Sequence, residues 1–77
     1  MRMYIRIFVW EEDGWEIKAG YVCSPKKAER VHKILKSDLN DGLIRWFRSF
    51  TLHGYNIDPI DLPNIQIKDG RLILRRK

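Results

Sequence analysis

Two Asp-Gly dipeptides constrain the fold of this chain more than any other feature. Asp13-Gly14 and Asp69-Gly70 each lie between runs in which apolar residues alternate with other residues. Asp-Gly is a strong signal for the tight turn of a β-hairpin, because such turns need residues that tolerate a positive φ. The sequence therefore predicts an antiparallel hairpin near each end of the chain.

The second hairpin has the simpler pattern. A two-residue turn at Asp69-Gly70 pairs Ile67 with Leu72 and Ile65 with Leu74. These four apolar residues then share one face. The other face is predicted to comprise Gln66, Lys68, Arg71, Ile73 and Arg75.

For the first hairpin, the loop length decides which face is buried. A three-residue loop, 12–14, pairs Val9 with Ile17, whereas a two- or four-residue loop places Glu16 and Lys18 beside the apolar residues of the first strand. Burying unpaired charge is costly, so the pattern favours the three-residue loop. The predicted core face is Ile5, Ile7, Val9, Ile17, Ala19 and Tyr21.

Two helices are predicted between the hairpins. Ser24 resembles an N-cap before Pro25, and an amphipathic pattern runs to about Lys36. A second helix is predicted over residues 42–52, with Asp41 as its cap. Its apolar side would carry Leu43, Trp46, Phe47 and Phe50.

The expected architecture is a single small α+β domain spanning residues 1–77, in the order β-β-α-α-β-β. The simplest packing is a four-stranded antiparallel sheet with two helices packed on one face. Residues 53–63, which contain Pro59 and Pro63, are expected to form a connecting loop.

Composition argues against several classes of function. The single cysteine, Cys23, allows no intrachain disulfide and suggests a reducing, cytoplasmic setting, and no apolar run suits a membrane span. His32, His53 and Cys23 have no recognised metal-ligand spacing. No catalytic, nucleotide-binding or family motif is present, so we expect a non-enzymatic protein without metal or cofactor.

The net charge of +5 is concentrated in two segments. Residues 24–37 and 71–77 each carry a surplus of four positive charges, which favours an anionic partner. The first hypothesis is a nucleic-acid-binding protein that contacts mainly phosphates. The predicted contacts are Lys26, Lys27, Arg30, Lys33, Arg45, Arg48, Arg71, Arg75 and Arg76.

The alternative hypothesis is a small regulatory or inhibitory protein, such as a virus or mobile element carries, that binds a partner protein. With the three-residue loop, the outer face of the first hairpin would expose aromatic and basic residues, which are typical of interface hot spots. The predicted contacts are Tyr4, Arg6, Phe8, Trp10 and Lys18. The same surface could instead be buried in a homodimer, or its aromatic rings could stack unpaired bases while the neighbouring cations hold phosphates.

Overall fold

The computed structural model describes residues 2–22, 25–55 and 62–75. These ranges contain five strands and one helix, in the order β1 (Arg2–Glu12), β2 (Trp15–Val22), α1 (Pro25–Asn40), β3 (Trp46–Tyr55), β4 (Asn64–Lys68) and β5 (Arg71–Arg75). The first three strands form an antiparallel sheet in the order β2-β1-β3, and β4 pairs with β5 in a separate hairpin. The prediction of one four-stranded sheet with two helices is therefore wrong.

The hairpin of β4 and β5 has the predicted register. Ile67 pairs with Leu72 and Ile65 with Leu74. Asp69 and Gly70 have φ values of 52° and 73°, as the two-residue turn requires. Turn chemistry and alternation agree in this segment, so the sequence determined both register and faces.

The first turn also contains two residues, and the predicted three-residue loop is wrong. Glu12 pairs with Trp15, while Asp13 and Gly14 have φ values of 51° and 79°. Lys18 consequently lies opposite Val9. No charge is buried by this register, because β2 is an outer strand of the three-stranded sheet and both Lys18 and Glu16 remain exposed.

The central strand, β1, is buried on both faces. Phe8 and Trp10 lie on the face that α1 covers, whereas Ile5, Ile7 and Val9 lie on the opposite face. The predicted core face is therefore split, since Ile17 and Ala19 belong with Phe8 and Trp10. The side chain of Tyr21 lies outside the described part of the structure.

The helix α1 extends beyond its predicted end at Lys36, and it ends in a Schellman motif. The N–H of Leu43 donates to the carbonyl of Asp38 at 2.9 Å, and the N–H of Gly42 donates to the carbonyl of Leu39 at 3.2 Å. Gly42 has a φ of 74°, which suits glycine at this position. Val31 and Leu35 are the buried residues of the helix. The predicted N-cap, Ser24, lies outside the described residues.

The second predicted helix is instead the strand β3. Aromatic residues dominate the segment, and aromatic side chains pack well on a pleated surface. In the strand, Trp46 and Phe50 lie on the face of Ile7, while Phe47 lies on the face of Phe8. The strand includes His53–Tyr55 from the predicted loop 53–63, of which residues 56–61 are outside the described part.

The sheet, the second hairpin and α1 enclose one core. The N–H of Gly20 in β2 donates to the carbonyl of Pro63 at 3.1 Å, just before β4. On the far side of the hairpin, β5 contacts α1, and α1 in turn contacts β3. The helix therefore closes the gap between β5 and β3. The enclosed residues are Phe8, Trp10, Ala19, Val31, Leu35, Ile44 and Ile65.

Candidate nucleic-acid interface

The turns and the element termini define two distinct ends of the molecule. The β1–β2 turn, the C-terminal end of α1 and the start of β3 lie together, since the N–H of Arg45 donates to the carbonyl of Glu11 at 3.0 Å. Arg71 interacts electrostatically with Asp38, which brings the β4–β5 turn to the same place. We call this the turn end and the opposite end, where α1 begins, the open end.

Acidic residues collect at the turn end. Burial raises the pKa of Asp38 above 3.8, and the nearby carboxylates of Glu12 and Asp41 raise it further, while Arg71 opposes them. Of the acidic residues that the structure describes, all but Glu29 lie at or near this end. They are Glu11, Glu12, Asp13, Glu16, Asp38, Asp41 and Asp69.

The outer face of α1 is basic in its N-terminal half. Lys26, Arg30 and Lys33 are all exposed, as predicted. At 100° per residue they fall within about 60° of one another, and the buried Leu35 lies on the opposite side. The buried stripe thus turns the three cations toward solvent as a row along the helix axis.

A second basic segment lies beside this row. Leu72 and Leu74 pack into the core, so the alternation of β5 turns Arg75 outward. β5 contacts α1, and Arg71 at the start of β5 lowers the pKa of Asp38 near the C-terminal end of the helix. We call Lys26, Arg30, Lys33 and Arg75 the basic ridge.

The remaining predicted phosphate contacts lie elsewhere. The guanidinium of Arg45 is 3.6 Å from the carboxylate of Glu11 at the turn end, and Arg71 is near enough to Asp38 to lower the pKa of that carboxyl. Arg48 lies on the sheet face opposite α1. Lys27 is half-buried and already engaged with another group, and Arg76 is outside the described residues.

The predicted aromatic partner surface is not exposed. Phe8 is 0% and Trp10 is 4% exposed, because the two-residue turn places them in the core. Lys18 lies on the other sheet face, opposite Val9. Of that set, Tyr4 and Arg6 remain together on the α1 side, both half-buried.

Sequence reasoning missed three polar neighbours of Arg6. Ser49, Thr51 and His53 project from β3 on the same face as Arg6 and Tyr4. The helical interpretation of residues 42–52 hid them, because it placed these positions at different angles around a helix. Reading the segment with a period of two would have put all three in one row.

No protein-family model matches the sequence, and neither the curated proteins nor the solved structures contain a match. No described helix is long and apolar enough to cross a membrane. Within the described ranges, no group of three or more His, Cys, Asp or Glu residues is arranged to hold a metal ion.

Proposed function

We propose that this protein binds nucleic acid through its phosphates, using the basic ridge. The observation that carries the proposal is the packing of β5 beside α1. That contact makes neighbours of the two segments in which the positive charge is concentrated, although they are far apart in the sequence.

The chemistry of the ridge favours phosphate contacts over base reading. Its side chains are lysine and arginine, and it offers no asparagine or glutamine for a bidentate contact with adenine. Cations on successive helical turns can follow a phosphate backbone. We therefore expect binding that depends strongly on salt and weakly on nucleotide sequence.

The test compares two triple variants that remove equal charge. One replaces Lys26, Arg30 and Lys33 with glutamine, and the control replaces the exposed cations Lys18, Arg48 and Lys68, which lie off the ridge. Fluorescence anisotropy with labelled single-stranded and duplex DNA gives the affinity at several salt concentrations.

Each neutralised phosphate contributes about −0.9 to the logarithmic salt slope on duplex DNA and about −0.7 on single strands. The ridge variant should therefore lose affinity and flatten the slope by about 2.7 on duplex DNA and about 2.1 on single strands, whereas the control should keep a slope close to that of the wild type. Equal losses in both variants, or wild-type affinity no better than millimolar at low salt, would refute the proposal.

A further inference from the structure

Arg6 is a half-buried cation whose partners are neutral. Its Nη1 donates to Thr51 Oγ1 at 2.8 Å, and its Nη2 donates to Ser49 Oγ at 2.9 Å. In the described part of the chain, the ion pair that forms is between Arg45 and Glu11, and no carboxylate pairs with Arg6. Two hydroxyl groups therefore fix the guanidinium without neutralising it.

The charge of Arg6 is also poorly compensated by its other surroundings. Its Nε–H is buried and has no acceptor. The guanidinium carbon lies 5.8 Å from the centre of the Phe8 ring, close enough for a modest cation–π attraction. A buried donor without an acceptor is costly, so an anion bound near the guanidinium would stabilise a charge that the protein leaves uncompensated.

The arrangement leaves donors available. Each hydroxyl that accepts a hydrogen bond from Arg6 still has its own O–H to donate, and each Nη keeps a second N–H. Phosphate oxygens accept hydrogen bonds, and a planar guanidinium matches them in both charge and geometry. Arg6, Ser49 and Thr51 together form a preorganised donor set, which we call the Arg6 site.

Two aromatic rings adjoin the Arg6 site. Tyr4 and His53 are the next cross-strand pair on the same face, and their ring centroids are 4.8 Å apart at an interplanar angle of 89°. Aromatic side chains beside a phosphate-binding cation are typical of surfaces that bind single-stranded nucleic acid, where unpaired bases can contact the rings.

The Arg6 site and the basic ridge have compatible positions. Both lie toward the open end, and the Arg6 site is on the sheet face that α1 crosses. A strand held by its phosphates along α1 would therefore leave the helix near this face.

We propose that the Arg6 site binds a phosphate group of a single-stranded nucleic acid while Tyr4 and His53 contact an adjacent unpaired base. This inference deepens the proposed function and rests on it for the identity of the ligand. Duplex DNA, whose bases are stacked and paired, should not use the aromatic pair.

The first experiment needs no variant. The Nε–Hε signal of Arg6 is followed by NMR in the wild-type protein during titration with inorganic phosphate and, separately, with thymidine monophosphate. We expect a saturable shift with both, and about tenfold tighter binding of the nucleotide, because stacking on an aromatic ring contributes about 1–3 kcal/mol per base. No shift with either ligand would overturn the site, and equal affinities would overturn the role of the rings.

The second experiment uses a matched pair of variants. Replacing Ser49 and Thr51 with alanine removes the hydroxyls that orient Arg6, whereas the exchange Ser49→Thr with Thr51→Ser keeps both. The alanine pair should lower affinity for single-stranded DNA about tenfold, and lower affinity for duplex DNA less, while the exchanged pair should restore single-strand binding. Circular dichroism checks that both variants fold.

The two proposals can fail separately. If the ridge variant binds normally while Arg6 still responds to phosphate, the proposed function is wrong and the Arg6 site remains an anion site. If the ridge variant loses binding while the alanine pair binds single strands as the wild type does, the Arg6 site is wrong and the ridge remains.

Discussion

At the scale of single residues, the turn at Asp13-Gly14 determines which side chains form the core. Counting Glu12 into the loop exposes Phe8 and Trp10, whereas the observed two-residue turn buries them. The sequence pattern predicts the hairpin correctly but gives the wrong loop length, because the three-residue loop is favoured only if Glu16 and Lys18 would otherwise be buried. Both residues are exposed on β2, so the observed register buries no charged side chain.

Replacing Phe8 with alanine should therefore destabilise the protein by about 3–5 kcal/mol, as is usual for truncating a fully buried aromatic residue. The control is Trp15→Ala, since Trp15 is 75% exposed and its loss should change stability by less than about 0.5 kcal/mol. Urea denaturation measures both. A Phe8→Ala protein as stable as the wild type would contradict the described core.

The raised pKa of Asp38 predicts that the stability of the protein depends on pH. Its pKa is raised in the folded state, first by burial and then by Glu12 and Asp41, so the folded protein binds its proton more readily than the unfolded chain does. The ionised carboxylate therefore lowers stability at neutral pH, and this loss is relieved as pH falls through the folded pKa.

The variant Asp38→Asn should accordingly raise the melting temperature at pH 7. Removing a negative charge from the last turn of α1 acts in the same direction. The gain should disappear below pH 3.8, where Asp38 is protonated in both states. A variant that is less stable at pH 7, or equally stabilised at every pH, would show that the charge is not the cause.

At the scale of elements, β3 shows where a periodic pattern misleads. Trp46, Phe47 and Phe50 fit one side of a helix, but they also fit a strand that packs apolar residues against β1 on both of its faces. The choice depends on β1, whose apolar residues on both faces demand partners. This requirement for packing partners arises from tertiary structure, so the local sequence of β3 does not reveal it.

The other elements were predictable to the extent that independent signals agreed. In β4 and β5, turn type and alternation point to one register, and the structure has it. In α1, the amphipathic pattern locates the helix but not its end, because Gly42 also fits the start of the second predicted helix. The Arg6 site does not follow from the predicted elements, because its two hydroxyls come from β3, where the sequence pattern predicts a helix.

The end of α1 can be tested at Gly42. A Cβ added there would meet nothing within 4 Å, so the cost of Gly42→Ala comes from the positive φ alone. We expect a loss of about 1 kcal/mol in the free energy of unfolding. Gly42→Asn should lose less, because asparagine tolerates this conformation better. Equal stabilities for all three proteins would argue against the Schellman motif.

At the scale of the whole molecule, charge is separated between the two ends. Acidic residues are gathered at the turn end, and the lysine and arginine residues of the ridge on α1 lie in the half of the helix toward the open end. Electrostatic interactions through solvent extend only about 8 Å at physiological salt. The net charge of +5 therefore understates the positive potential that a ligand meets at the ridge.

Neutralising the turn end should consequently leave nucleic-acid binding almost unchanged. The triple variant Glu12→Gln, Glu16→Gln and Asp41→Asn raises the net charge by three units at or near the turn end and leaves the ridge itself unchanged. Its affinity at about 0.15 M salt should stay within twofold of the wild type. A gain as large as the loss in the ridge variant would mean that overall charge, rather than the ridge, governs binding.

The burial of β1 on both faces has a consequence for mutations that insert or delete a residue. A strand with one solvent-exposed face resists a shift of register, because a shift by one residue moves its apolar side chains into solvent. β1 lacks this safeguard, so its alignment with β2 depends on the turn between them. Insertion or deletion of one codon at Asp13-Gly14 would therefore shift the pairing of β1 with β2. Such a mutation is expected to favour an alternative sheet formed by nearly the same sequence.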